Sequence, residues 1–124
     1  LVYRNKGDYK KAEDYLEKSL SIQRKIGFKG LELETTIYLY LTYKQLGKDY
    51  DVNEIHTLIK EAENIEFGLN LGLYELLEDK SYLETAYKQL QEKASAMDEG
   101  LGQKFLSYPF PKAIVEEYKK VFKS

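Results

Sequence analysis

The sequence predicts an all-α fold: antiparallel helix pairs repeated along the chain and closed by a C-terminal capping helix. Three observations carry this reading. Apolar residues recur at steps of three and four through successive segments. Glycine or short polar runs separate those segments. The pattern also returns along the chain, with Gly7 and Gly47 40 residues apart.

The first helix is expected over Asp8–Ile26, with Ala12, Tyr15, Leu16, Ser19, Leu20 and Ile22 on one face. Asp14 and Lys18 form an exposed pair four residues apart. Gly27 and Gly30 are expected to end this helix, since glycine accepts positive φ. The next segment, "LELETTIYLYLTYKQLG", carries Leu33, Ile37, Tyr38, Leu39, Tyr40, Leu41, Tyr43 and Leu46. Its β-branched and aromatic content would suit a strand, but its length, Glu34, Lys44 and Gln45, and the stop at Gly47 favour a helix covered on more than one side.

A third helix is expected from about Asn53, its N-cap, to Ile65, with Ile55, Leu58, Ile59 and Ala62 inward. A fourth covers roughly Leu69–Leu77. A fifth follows "EDKS", with Tyr82, Leu83, Ala86, Tyr87 and Leu90 inward and Glu84–Lys88 exposed. "AMDEGLGQKFLSYPFP" breaks the rhythm. The last helix, "KAIVEEYKKVF", aligns Ile114, Tyr118, Val121 and Phe122 as the stripe of a capping helix, with Pro111 at its start.

Three segments superpose. Tyr3 and Tyr43 each stand four residues before a glycine, and Tyr74 precedes a turn at Glu78–Ser81 that lacks one. A helix-turn-helix unit of this kind buries its apolar face only against a neighbour. "GDYKKAEDYLEKSL" resembles the turn and second helix of the tetratricopeptide repeat (TPR) family. By that resemblance Gly7 and Tyr9 take the turn, Ala12 sits where the two helices touch, and Leu16 and Ser19 face the next repeat. "TTIYLYLTYKQLG" resembles the family's first helix. The usual repeat is about 34 residues, so the spacing here is similar to the longer-helix version of signalling scaffolds. "MDEGLGQKFLSYPFPKAIVEEYKKV" looks like the tail that closes TPR arrays in bacterial cyclases, kinases and ATPase-type regulators.

The resemblance implies TPR-like repeats over 1–95, the first truncated and the third degenerate, and a tail with the capping helix over 96–124. It implies an α-α superhelix whose concave groove holds a protein or peptide partner. The groove contacts would be Ile37, Tyr38, Leu41, Lys44 and Gln45, with Leu69, Gly72 and Leu76 from the next repeat. The alternative is a homo-oligomerisation module, a homodimer paired through its terminal helices. With no initiator Met and the opening "LVYRNKG", which reads as the end of a helix, the chain is expected to be the C-terminal part of a longer signalling protein.

Composition narrows the chemistry. There is no cysteine, hence no disulfide, zinc-thiolate or thiol nucleophile, which agrees with a cytoplasmic setting. No apolar run approaches the ~18 residues of a membrane span. Charge is uneven: residues 1–30 hold eight Lys/Arg against four Asp/Glu, residues 31–100 six against fifteen, and residues 101–124 five against two. The acidic centre argues against nucleic acid.

His56 is the only histidine and makes no metal site alone. Glu61 and Glu63, or Glu116 and Glu117, read as solvated surface, because acid/base work needs a cleft that shifts one pKa. "GLG" at 100–102 lacks the rest of a phosphate loop and reads as a helix end or hinge. No catalytic set can be assembled, so the expectation is a non-enzymatic chain without metal or cofactor.

Overall fold

A computed structural model describes residues 6–123, the side chain of Lys6 apart. The expectation for residues 1–5, including Tyr3, lies outside the described residues. Among these the chain forms seven helices: α1 (Lys6–Ile26), α2 (Lys29–Leu46), α3 (Val52–Glu61), α4 (Phe67–Leu77), α5 (Lys80–Ser95), α6 (Glu99–Ser107) and α7 (Pro109–Phe122). The fold is all-α, with no strand among the described residues. Two compact units divide between Asn64 and Ile65.

In the first unit α2 is the central helix, packed between α1 and α3. It buries Leu33, Thr35, Thr36, Ile37, Leu39, Tyr40 and Thr42, so it is covered on more than one side. A buried threonine hydroxyl in a helix can be satisfied locally, and Thr42 donates to the Tyr38 carbonyl at 2.8 Å. The buried apolar residues of helix α1 are the line Ala12, Leu16 and Leu20. Tyr15 and Ile22, expected on that buried face, are 70% and 58% exposed. They lie about a quarter-turn off the buried line, where α2 does not reach.

In the second unit α5 is central, with α4, α6 and α7 around it. Its core is Leu83, Ala86, Leu90 and Ile114, none with any exposed surface. Phe67, Leu71, Tyr87, Phe105 and Val121 close over it. The uninterrupted 3–4 spacing of α5 places its three core residues on one side of the helix.

Helix ends correct several expectations. Gly27 stops α1 at φ 80°, and the Phe28 amide reaches the Gln23 carbonyl at 3.0 Å. Gly30, expected as a second stop, is instead helical in the first turn of α2. Gly7 and Tyr9, expected in a turn, are helical within α1. Asp51, not Asn53, caps α3, its carboxylate accepting from the Asn53 and Glu54 amides at 3.0 and 3.3 Å. That helix ends at Glu61 rather than Ile65, because Ala62 is extended at ψ 134°.

The stretch expected to break the rhythm contains α6, with Gly100 and Gly102 inside it rather than at a hinge. Gly102 is needed for packing: a Cβ there would lie 2.6 Å from the Ala94 carbonyl oxygen of α5. Pro109 begins α7 and Pro111 is its third residue, still within the turn whose amides lack intrahelical partners.

Candidate functional site

Three surfaces could carry function: the residues expected to line a groove, a polar cleft in the first unit, and the outer face of α1. Tyr38, Leu41 and Gln45 recur at steps of three and four on α2. Tyr38 and Leu41 are half-buried, and Lys44 and Gln45 are exposed. Ile37 has no exposed surface, so it packs rather than contacts. Leu69, Gly72 and Leu76 belong to the second unit, where Leu69 is half-buried and Gly72 and Leu76 are buried. Surface from this set therefore comes from Tyr38, Leu41, Lys44, Gln45 and part of Leu69.

The cleft, about 440 Å³, is lined by Leu20 and Arg24 of α1, Tyr40 and Tyr43 of α2, and Glu54 of α3. The Arg24 guanidinium pairs with Glu54 Oε1, and the Tyr40 hydroxyl donates to Glu54 Oε2 at 2.8 Å. Tyr40 also stacks near Tyr43 and Tyr50, with centroids 5.7 and 5.5 Å away. Burial, then the Glu54 hydrogen bond and charge, push the Tyr40 phenol well above its ordinary value. It is thus held neutral and occupied, which suits a tie among three helices better than proton transfer. Lys48 pairs with Glu13, tying the end of α2 to α1.

The second unit has a corresponding tie. Buried Asn70 donates to the Ile65 carbonyl at 3.1 Å and to Gln89 Oε1 at 2.9 Å. Gln89 Nε2 donates to the same carbonyl at 2.7 Å. Glu117, expected as solvated surface, accepts from the Tyr74 hydroxyl at 2.7 Å and joins α7 to α4. Of the capping residues, Ile114 lies in the core, and Tyr118 stacks flat on Tyr87 at 3.8 Å. Val121 is half-buried and Phe122 is 39% exposed. The stripe of α7 is thus largely used within its own unit.

The outer face of α1 is different. Tyr15, Ile22 and Ile26 are 70%, 58% and 69% exposed, and Phe28 and Leu31 just beyond are exposed too. The sequence carries a signal for this face, since these residues follow helical spacing, but that spacing alone does not distinguish a covered face from a bare one. His56 is exposed, and no group of three metal-capable side chains converges among the described residues. No described helix is long and apolar enough to cross a membrane. The chain matches no family model, no curated protein and no solved structure.

Proposed function

We propose that the chain is a protein-interaction module of helix-pair repeats, of TPR type, serving a larger regulatory or signalling protein. The observation that carries this reading is the bare apolar stripe of α1. Large apolar side chains in register along three turns are commonly docking surface, because leaving them in water forgoes about 25 cal/mol per Å². The helix-turn-helix pairs give the repeat reading its support. Both α2–α3 and α4–α5 join through a residue in left-handed conformation, Gly47 or Glu78, followed by an aspartate N-cap. The half-exposed line Tyr38–Leu41–Gln45 is a second surface for the same function.

Selection of helical peptides against the purified chain tests this. Ligands should emerge whose binding is lost with Ile22→Ser/Ile26→Ser, or with Tyr38→Ala/Leu41→Ala if the α2 line is used. Selection that returns nothing above a control protein, or only ligands indifferent to both pairs of substitutions, would refute it.

A further inference from the structure

We propose that the outer face of α1 docks one amphipathic helix of a partner protein, with acidic residues along the edge that meets Lys11, Lys18 and Lys25. This rests on the interaction-module reading above and adds the chemistry of the partner. Tyr15, Ser19, Ile22 and Ile26 follow one another at steps of four, three and four, the seam spacing of helix pairs that interlock side chains. The seam runs about 16 Å, long enough for three turns of a facing helix.

Its two flanks differ. On one side Leu16 is buried and Gln23 half-buried against the rest of the unit. On the other, Lys11, Lys18 and Lys25 stand seven residues apart, all exposed. Lys18 pairs only with Asp14, itself exposed, at 3.1 Å, and Lys11 and Lys25 have no ion-pair partner among the described residues. Two neighbouring cations are committed elsewhere, Arg24 to Glu54 and Lys29 to Glu32 and Glu61. A row of lysines beside a seam selects glutamate or aspartate on the facing helix.

The same row disfavours a second copy docking α1 on α1. An antiparallel pair would set lysine against lysine, and a parallel pair would need the flank that is already covered. A lipid surface fits less well, since the face is one seam wide and carries the Ser19 hydroxyl at its middle, whereas interfacial helices present a broad apolar face.

The probes are three designed helical peptides of about 18 residues. They share one leucine seam and carry Glu, Gln or Lys at the flanks. Fluorescence anisotropy against the full chain should show the Glu peptide binding at least about tenfold more tightly than the Lys peptide. The order should reverse for Lys11→Glu/Lys25→Glu, whose helicity is checked by circular dichroism. Ile22→Ser/Ile26→Ser should abolish binding of all three. Equal affinity for the Glu and Lys peptides, with binding still lost in the Ile22/Ile26 variant, overturns the acidic assignment and leaves the docking reading standing. Binding of no peptide at all, tighter binding to phosphatidylserine vesicles, or self-association abolished by Ile22→Ser/Ile26→Ser overturns the proposal. The interaction-module reading falls as well only if the library selection also returns nothing, or only ligands indifferent to both pairs of substitutions.

Discussion

Helices α1 and α7 carry apolar stripes of similar spacing, yet one is bare and the other largely used. In the second unit α7 lies against both α5 and α6, and its Ile114 joins the core. In the first unit α1 packs chiefly against α2, which takes up Ala12, Leu16 and Leu20 and leaves Tyr15, Ile22 and Ile26 in solvent. The difference lies in the number of neighbours. A helix flanked on two sides can bury a wide apolar arc, while a helix with one main neighbour buries about one line of side chains. Amphipathic spacing states what a helix can bury, and its neighbours decide how much it does.

The largest effect is expected at the centre of the second unit. Leu83→Ala opens a void at a site with no exposed surface, and should cost about 2–5 kcal/mol in denaturant unfolding. A loss below about 1 kcal/mol would mean that α5 is not the centre of a packed core. Gly102→Ala should cost about 1–3 kcal/mol, because the added carbon meets backbone at the α5–α6 contact, where only a shift of a helix gives relief. Retained stability there would show that α6 is loosely held.

Tyr40→Phe should cost about 1.5–3 kcal/mol at neutral pH, the range for a hydrogen bond to a charged acceptor. It also has a pH signature. The folded phenol titrates above its ordinary value near 10, so its contribution is fully present below that pH and is lost as pH rises toward the folded value. The variant should therefore show a shallower alkaline decline in thermal stability. The decline will not vanish, since Tyr43, Tyr74 and Tyr82 are raised as well. An unchanged alkaline profile would sever Tyr40 from the Glu54 tie.

Substitutions at the two inter-helix turns should act with opposite signs. Gly47 and Glu78 end α2 and α4 in the same left-handed region, at φ 73° and 54°. Gly47→Ala should destabilise by about 1 kcal/mol, whereas Glu78→Gly should stabilise by up to about 1 kcal/mol, as the side chain no longer opposes that conformation. Equal signs would mean that the two turns are not equivalent. The smallest effect belongs to the bare stripe. Ile22→Ser and Ile26→Ser should each move stability by no more than about 0.5 kcal/mol, since neither is packed. A larger loss would reveal cover over α1.

Much of this molecule is legible in its local sequence pattern. Helices α1, α3, α5 and α7 follow from 3–4 spacing, α2 from its length, its polar residues and its glycine stop, and the stops at Gly27 and Gly47 from the freedom of glycine at positive φ. Helix α6 is hidden, because its two glycines read as a break. Only the proximity of the Ala94 carbonyl explains Gly102 there. Of the groove residues, Ile37 and Leu76 cannot be told from Tyr38 and Leu69 by spacing, because all are apolar at helical intervals.

Local sequence pattern is enough to make the chain helical, to place most of its helices and to mark the residues able to face a neighbour. Those properties depend on local backbone preference and periodicity, which act over a few residues. Only the tertiary structure settled which faces are covered, why glycine stands at Gly102 inside α6, and that Tyr40, Asn70 and Glu117 tie helices together. Such outcomes depend on contacts between residues distant in the chain, and no local pattern encodes which partner arrives.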